Sequence, residues 1–136
     1  MNSSRAVFVD TSAYFAVADR RDDRFGEAAA ALRRMTLSGE TLVTTNYVVA
    51  EAHALFVNRL GRDAGARYLR SVESGATTIV VPTHDDERRA RDIIYTHTDK
   101  SYSLTDALSF AVMQRLGMTR VFTFDSDFER FGFARA

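Results

Sequence analysis

Four short runs, Ala6 to Val9, Thr41 to Thr44, Thr77 to Val81 and Arg120 to Phe124, are rich in Val, Ile, Phe and Thr and show no clean polar–apolar alternation. A strand that is apolar on both faces needs cover on both faces, which a parallel sheet between helical layers provides and a half-exposed antiparallel sheet does not. Helical patterns fill the intervals, at Ala13 to Ala18, Phe25 to Leu37, Tyr47 to Leu60, Ala64 to Glu73, Asp85 to Tyr95 and Thr105 to Leu116. This order predicts an open α/β, three-layer sandwich: a central, mainly parallel sheet of four or five strands with right-handed crossovers, flanked by helices. A chain of 136 residues has material for one such core, so residues 1–136 read as a single domain.

Local signals punctuate the pattern. Asn46 is placed to cap the third helix, and Ser103 the sixth, with Asp106 at the third helical position in a capping-box-like arrangement. Gly61 and Gly117 stand where helices should stop. In open parallel sheets, ligands sit at the carboxyl ends of the strands, near the point where strand order reverses. Acids that directly follow a strand therefore carry the functional information.

Asp10 closes the first run in Val9-Asp10-Thr11-Ser12, where it can equally serve as a helix N-cap. Glu51 lies four residues after Tyr47 and four before Leu55, on a stripe expected to face the interior. A carboxylate there is costly unless it is paired with a cation, hydrogen-bonded or protonated, and a salt bridge to an arginine is the structural alternative to a metal. Asp106 opens a largely apolar helix whose dipole keeps it ionised. Asp125 and Asp127 follow the last run in Phe124-Asp125-Ser126-Asp127-Phe128; Asp125 is the expected ligand, and Asp127 is expected to cap a short turn from Phe128 to Phe131.

Each acid alone has a structural explanation, but four converging on one sheet edge would repel one another unless a divalent cation balanced them. The chain has no cysteine, so a metal site must use oxygen or imidazole donors. Oxygen donors select hard cations, Mg²⁺ or Mn²⁺. Such a centre suits phosphodiester hydrolysis and needs no histidine base. His53, His84 and His97 occur singly and read as structural or solvated.

The formal net charge is zero, which does not mark a general nucleic-acid binder. All the cationic residues except Lys100 are arginine, a bias that genome composition can also produce. The candidate phosphate contacts are Arg20, Arg21 and Arg24, with Arg88, Arg89 and Arg91 as a second cluster. No apolar run reaches the ~20 residues of a membrane span, and Met1 to Arg5 lead straight into the first strand, so a cytoplasmic location is expected.

Taken together, Val9-Asp10-Thr11-Ser12-Ala13, Glu51 in an apolar helix, Tyr102-Ser103-Leu104-Thr105-Asp106-Ala107-Leu108-Ser109-Phe110 and Thr123-Phe124-Asp125-Ser126-Asp127-Phe128 resemble PIN-domain ribonucleases, in particular the VapC-type toxins of toxin–antitoxin pairs. The resemblance runs nearly end to end, and the two late segments are its most specific part. It implies a PIN-like sandwich and a Mg²⁺-dependent endoribonuclease. Asp10, Glu51, Asp106 and Asp125 would be its catalytic metal ligands and Asp127 a variable fifth acid, with Thr123 and Thr11 as polar support. It also implies structured RNA as substrate, a small antitoxin as partner and a homodimer.

Other acidic α/β proteins fit less well. A receiver domain needs a lysine after its fifth strand, and a haloacid-dehalogenase phosphatase needs Asp-x-Asp after its first, where this chain has Asp10-Thr11-Ser12. The rival of a different class is a catalytically silent PIN-like module that binds RNA or protein without cleaving.

Overall fold

Five strands, β1 (Ala6–Val9), β2 (Thr41–Thr45), β3 (Thr78–Val80), β4 (Arg120–Phe122) and β5 (Ala134–Arg135), form one sheet in the order β3-β2-β1-β4-β5. Every neighbouring pair is parallel. The computed structural model describes residues 5–136, so Met1 to Ser4 of the segment leading into β1 lie outside the described residues. Seven helices connect and cover the sheet: α1 (Thr11–Ala18), α2 (Phe25–Leu37), α3 (Asn46–Leu60), α4 (Arg62–Ser74), α5 (His84–Thr96), α6 (Leu104–Arg115) and α7 (Ser126–Phe131).

The central strand shows why these runs lack alternation. All four residues of β1 are buried, with Ala6 and Phe8 in a cluster formed with Ala90, Ile93, Phe110 and Met113 of α5 and α6. Val7 and Val9 point the other way, into Ala13, Ala16, Ala28, Ala31 and Met35 of α1 and α2. The period-2 geometry of the strand thus feeds two cores, one per face. Burying a side chain such as Phe8 contributes roughly 1.5–3 kcal/mol. A third cluster, Phe15, Ala52, Phe56 and Tyr68, joins α1 to α3 and α4.

Helix α6 is buried at every position from Ala107 to Met113, which makes it the inner helix of its layer. Such a helix has no hydrophobic face to read, since it is apolar all round. Its first turn nonetheless lies where a carboxylate can reach the sheet edge.

Helix ends agree with the sequence pattern within two residues, but two caps differ. The cap of α3 is Thr45, whose hydroxyl accepts from the Val48 amide, and Asn46 is the first helical residue, because β2 runs one residue further than its apolar pattern. The cap of α7 is Asp125, which accepts from the Asp127 amide, so the helix starts earlier and Asp127 lies inside it. β4 stops at Phe122 rather than Phe124, because the following amides bond to side chains instead of a strand.

Strand order reverses between β1 and β4, which lie side by side although distant in sequence. Asp10 follows the first of these and Asp125 the second, at the same carboxyl edge. The fold thereby places both acids at its topological switch point.

Candidate metal centre

Asp10 caps α1 and is 3% exposed. Its Oδ2 accepts from the hydroxyls of Ser12 and Thr123, both at 2.9 Å, and more weakly from the Ser12 amide at 3.4 Å. Both hydroxyl protons are thus committed to Asp10, and the 3.2 Å between the two hydroxyl oxygens is a close approach. The same hydroxyls accept in turn: Ser12 from the Phe124 amide and Thr123 from the Asp125 amide, each at 2.9 Å. This lattice ties the end of β1 to the loop after β4. Burial pushes the Asp10 carboxyl above its usual range, opposed by Ser12, Thr123 and the Thr11 and Ser12 amides.

Asp106 occupies the first turn of α6, and its amide donates to the capping hydroxyl of Ser103 at 3.1 Å. Its carboxyl is pushed up to about 7, first by burial and then by the charges of Asp10, Asp125 and Glu51. The helix dipole acts in the opposite sense and does not prevail. Asp106 is therefore the electrostatic focus on which the other three acids converge.

Carboxylate oxygens of Asp106, Asp125 and Asp127 lie within 4.8 Å of one another. Oxygens on opposite sides of one hard cation stand about 4–5 Å apart, so these three fit a single divalent ion. Asp10 and Glu51 are outside that tight set and border it.

Glu51 departs from the inward stripe expected of it. The buried face of α3 is Val48, Ala52 and Phe56, one residue out of register with Tyr47, Glu51 and Leu55. Glu51 is exposed and overlooks the cleft, where a carboxylate stays hydrated and needs no arginine.

A model of the PIN domain matches residues 7–134 of this sequence. The chain belongs to the PIN-domain family. It is 34% identical over 128 residues to the 23S rRNA-specific endonuclease VapC20 of Mycobacterium tuberculosis, covering 93% of this chain and 95% of that protein. Ribonuclease VapC26 of the same organism is 28% identical over 119 residues, 88% of this chain and 86% of that one. The crystal structure of VapC20, described as a sarcin–ricin loop cleaving toxin, superposes with a TM-score of 0.85 at 32% identity, covering 94% of this chain and 96% of that one. The structure of VapBC2 from Rickettsia felis, bound to a promoter DNA fragment, shares the fold at a TM-score of 0.69 and 11% identity, with 96% and 97% covered.

Within this VapC-type PIN domain, one polar residue is not singled out by the sequence pattern. Ser12, not Thr11, supplies the second hydroxyl to Asp10; the Thr11 hydroxyl is buried and has no partner among the described residues. The signal was the spacing, since a serine two residues after an aspartate can bond back to it. Of the arginine cluster, Arg24 donates to the Phe124 carbonyl at 3.2 Å, next to Asp125. Arg21 is paired with Asp19 at 3.5 Å, and Arg20 is exposed. In the second cluster Arg88 pairs with Asp85, and all three arginines lie on the solvent side of α5.

No helix among the described residues is long and apolar enough to cross a membrane. PIN-domain nucleases work with divalent metal, and the donors here are all carboxylate oxygens.

Proposed function

We propose that this chain is a Mg²⁺-dependent endoribonuclease that hydrolyses phosphodiester bonds of structured RNA, acting as the toxin of a type II toxin–antitoxin pair. The observation that carries the reading is the convergence of Asp10, Glu51 and Asp125 on Asp106 at the switch point of a PIN domain one-third identical to VapC20. The proposed ligand set is Asp10, Glu51, Asp106 and Asp125, with Asp127 as a fifth acid, and Mn²⁺ would substitute for Mg²⁺. Bound there, a divalent cation neutralises phosphate charge and makes water acidic enough to supply hydroxide near neutral pH.

The protein's own part is positioning. Asp106, held at the first turn of α6, is about half protonated near pH 7 in the metal-free site, and a cation that compensates its neighbours would favour its charged form. The Ser12 and Thr123 hydroxyls hold Oδ2 of Asp10 and fix the orientation of its carboxylate. Asp125 is fixed by its own capping bond to α7. Three elements thus present acids that cannot relax away from each other.

The substrate proposed is a loop of ribosomal RNA, by similarity to VapC20, and the chain would act in the cytoplasm as a homodimer neutralised by a small antitoxin. The test incubates the purified chain with ribosomes and Mg²⁺ and maps new RNA ends by sequencing. Discrete cleavage in 23S rRNA that is lost with EDTA and in Asp106→Asn supports the reading. RNA bound but intact at saturating Mg²⁺ would instead mark a silent binding module.

A further inference from the structure

We infer that Arg59, together with Arg24, holds a phosphate of the RNA strand at a distance from the bond being cut; this rests on the ribonuclease reading above. A groove of about 400 Å³ starts at Ser12, the residue that bonds Asp10, and is lined by Phe15, Arg24, Leu55 and Arg59, with Asp22 and Asp23 on its wall. A second hollow bounded by Arg59, Asp19 and Arg21 continues it outward.

Both arginines lie over aromatic rings. The guanidinium of Arg59 lies 5.2 Å from the ring centroid of Phe15, and that of Arg24 lies 5.3 Å from Phe124. The Arg59 guanidinium has no hydrogen-bond partner among the described residues, and Arg24 donates only Nη1, to the Phe124 carbonyl, so each retains N–H groups that match two phosphate oxygens. Neither arginine has a carboxylate within ion-pairing distance among the described residues, although acids line the same groove. Of the nearby acids, Asp22 accepts from the Arg24 amide at 2.8 Å, and Asp19 accepts from the Arg21 amide at 3.0 Å and pairs with the Arg21 side chain at 3.5 Å.

Two paths through the chain register the groove to the acids. Glu51, Leu55 and Arg59 recur at four-residue intervals on one face of α3, so Arg59 stands about 12 Å from Glu51 along the axis. Arg24 is held by the Phe124 carbonyl, one residue before Asp125. A phosphate gripped here fixes which bond of the strand reaches Asp106.

The experiment uses a fluorescein-labelled RNA hairpin with the sequence of the 23S sarcin–ricin loop. Affinity across a salt series is measured in the Asp106→Asn background, and KM and kcat in the unaltered background. Arg24→Ala with Arg59→Ala should raise KM about tenfold with little change in kcat, and should lower the slope of log affinity against log salt by about 0.7 to 0.9, the value expected when one phosphate is no longer neutralised. Arg59→Lys should restore the slope but not the affinity, because it returns the charge without the planar fork. Arg70→Ala, exposed on α4, is the control and should change neither. Unchanged affinity, slope and KM in the double variant would overturn the inference while leaving the acidic site intact. Cleavage that persists in Asp106→Asn would instead break the ribonuclease reading, with the salt slope still deciding the arginines. A hairpin that the chain does not bind at all would overturn both.

Discussion

Asp10 and Asp86 are each 3% exposed, although Asp10 lies deeper in the protein, and their carboxyls shift in opposite directions. Asp86 completes a capping box with Thr83 at the start of α5 and receives Nε and Nη2 of Arg115 at 2.9 to 3.1 Å. Burial acts to raise it, but Arg115 and Thr83 together hold it below the usual range. Asp10 is given only hydroxyls and amides, and burial prevails. The fold supplies its own cation in one place and withholds it in the other. A buried carboxylate left without a cation is costly, and the acids gathered around Asp106 multiply that cost. Where the protein provides the cation, the acid is structural; where it does not, the site is left open to a cation or a proton from outside.

The sharpest way to break this contrast is to neutralise each region in turn. Asp10→Asn or Asp106→Asn should lower RNA cleavage by about 100-fold or more, comparable to losing a metal ligand or an oxyanion donor. Thermal stability of the metal-free chain should stay the same or rise, because like-charge repulsion is removed. Cleavage equal to the unaltered chain in both would show a contaminating nuclease. Adding Mg²⁺ should stabilise the unaltered chain at pH 8, by about 2.7 kcal/mol at a hundred times the dissociation constant, and should do nothing for Asp106→Asn. Calorimetry with and without EDTA reads this directly.

Asp86→Ala should do the reverse. It should cost about 2 kcal/mol in denaturant unfolding, from the lost cap and an ion pair whose arginine is half exposed, with cleavage per folded molecule unchanged. Ser12→Ala should lower cleavage by about tenfold, as supporting residues do, with a stability change near 1 kcal/mol. A loss as large as that of Asp10→Asn would mean that Ser12 does more than orient the carboxylate.

A further test separates the two regions by pH. Asp106 titrates near 7 in the folded, metal-free chain and near 4 when unfolded, so stability is present below about 4 and lost as pH rises through 7. Asp86 has its folded value depressed, so its contribution is present above about 4 and lost as pH falls below that. Urea titrations without metal should therefore show the chain gaining stability from pH 8 to pH 5 and losing it below pH 4. Asp106→Asn should weaken the first trend, with raised Asp10 supplying the remainder, and Asp86→Asn should weaken the second.

Much of this was legible along the chain. Runs such as Ala6–Val9 carry their two-sided burial in their composition, and the ends of α2 match their pattern because apolar period and breakers agree there. β5 was not legible, since two exposed residues carry no hydrophobic signal. The caps Thr45 and Asp125 were displaced because capping depends on where the chain leaves extended backbone, which tertiary pairing sets.

The four acids were identifiable from their places after strands and at helix starts, but not their relation. Glu51 shows the limit most clearly: its spacing placed it on an apolar stripe, and only packing against α1 and α4 decided that the neighbouring stripe, Val48, Ala52 and Phe56, turns inward. Ser12 and Arg59 likewise owe their places to residues distant in sequence, Thr123 in one case and Phe15 in the other. The sequence by itself determined which elements form, which of them must be covered on both faces, and that acids crowd one edge of the sheet, because these follow from periodicity and local backbone chemistry. The tertiary structure alone decided which acid bears the others' charge and which buried acid receives an arginine. Those are through-space energies, and they depend on distances that no local pattern encodes.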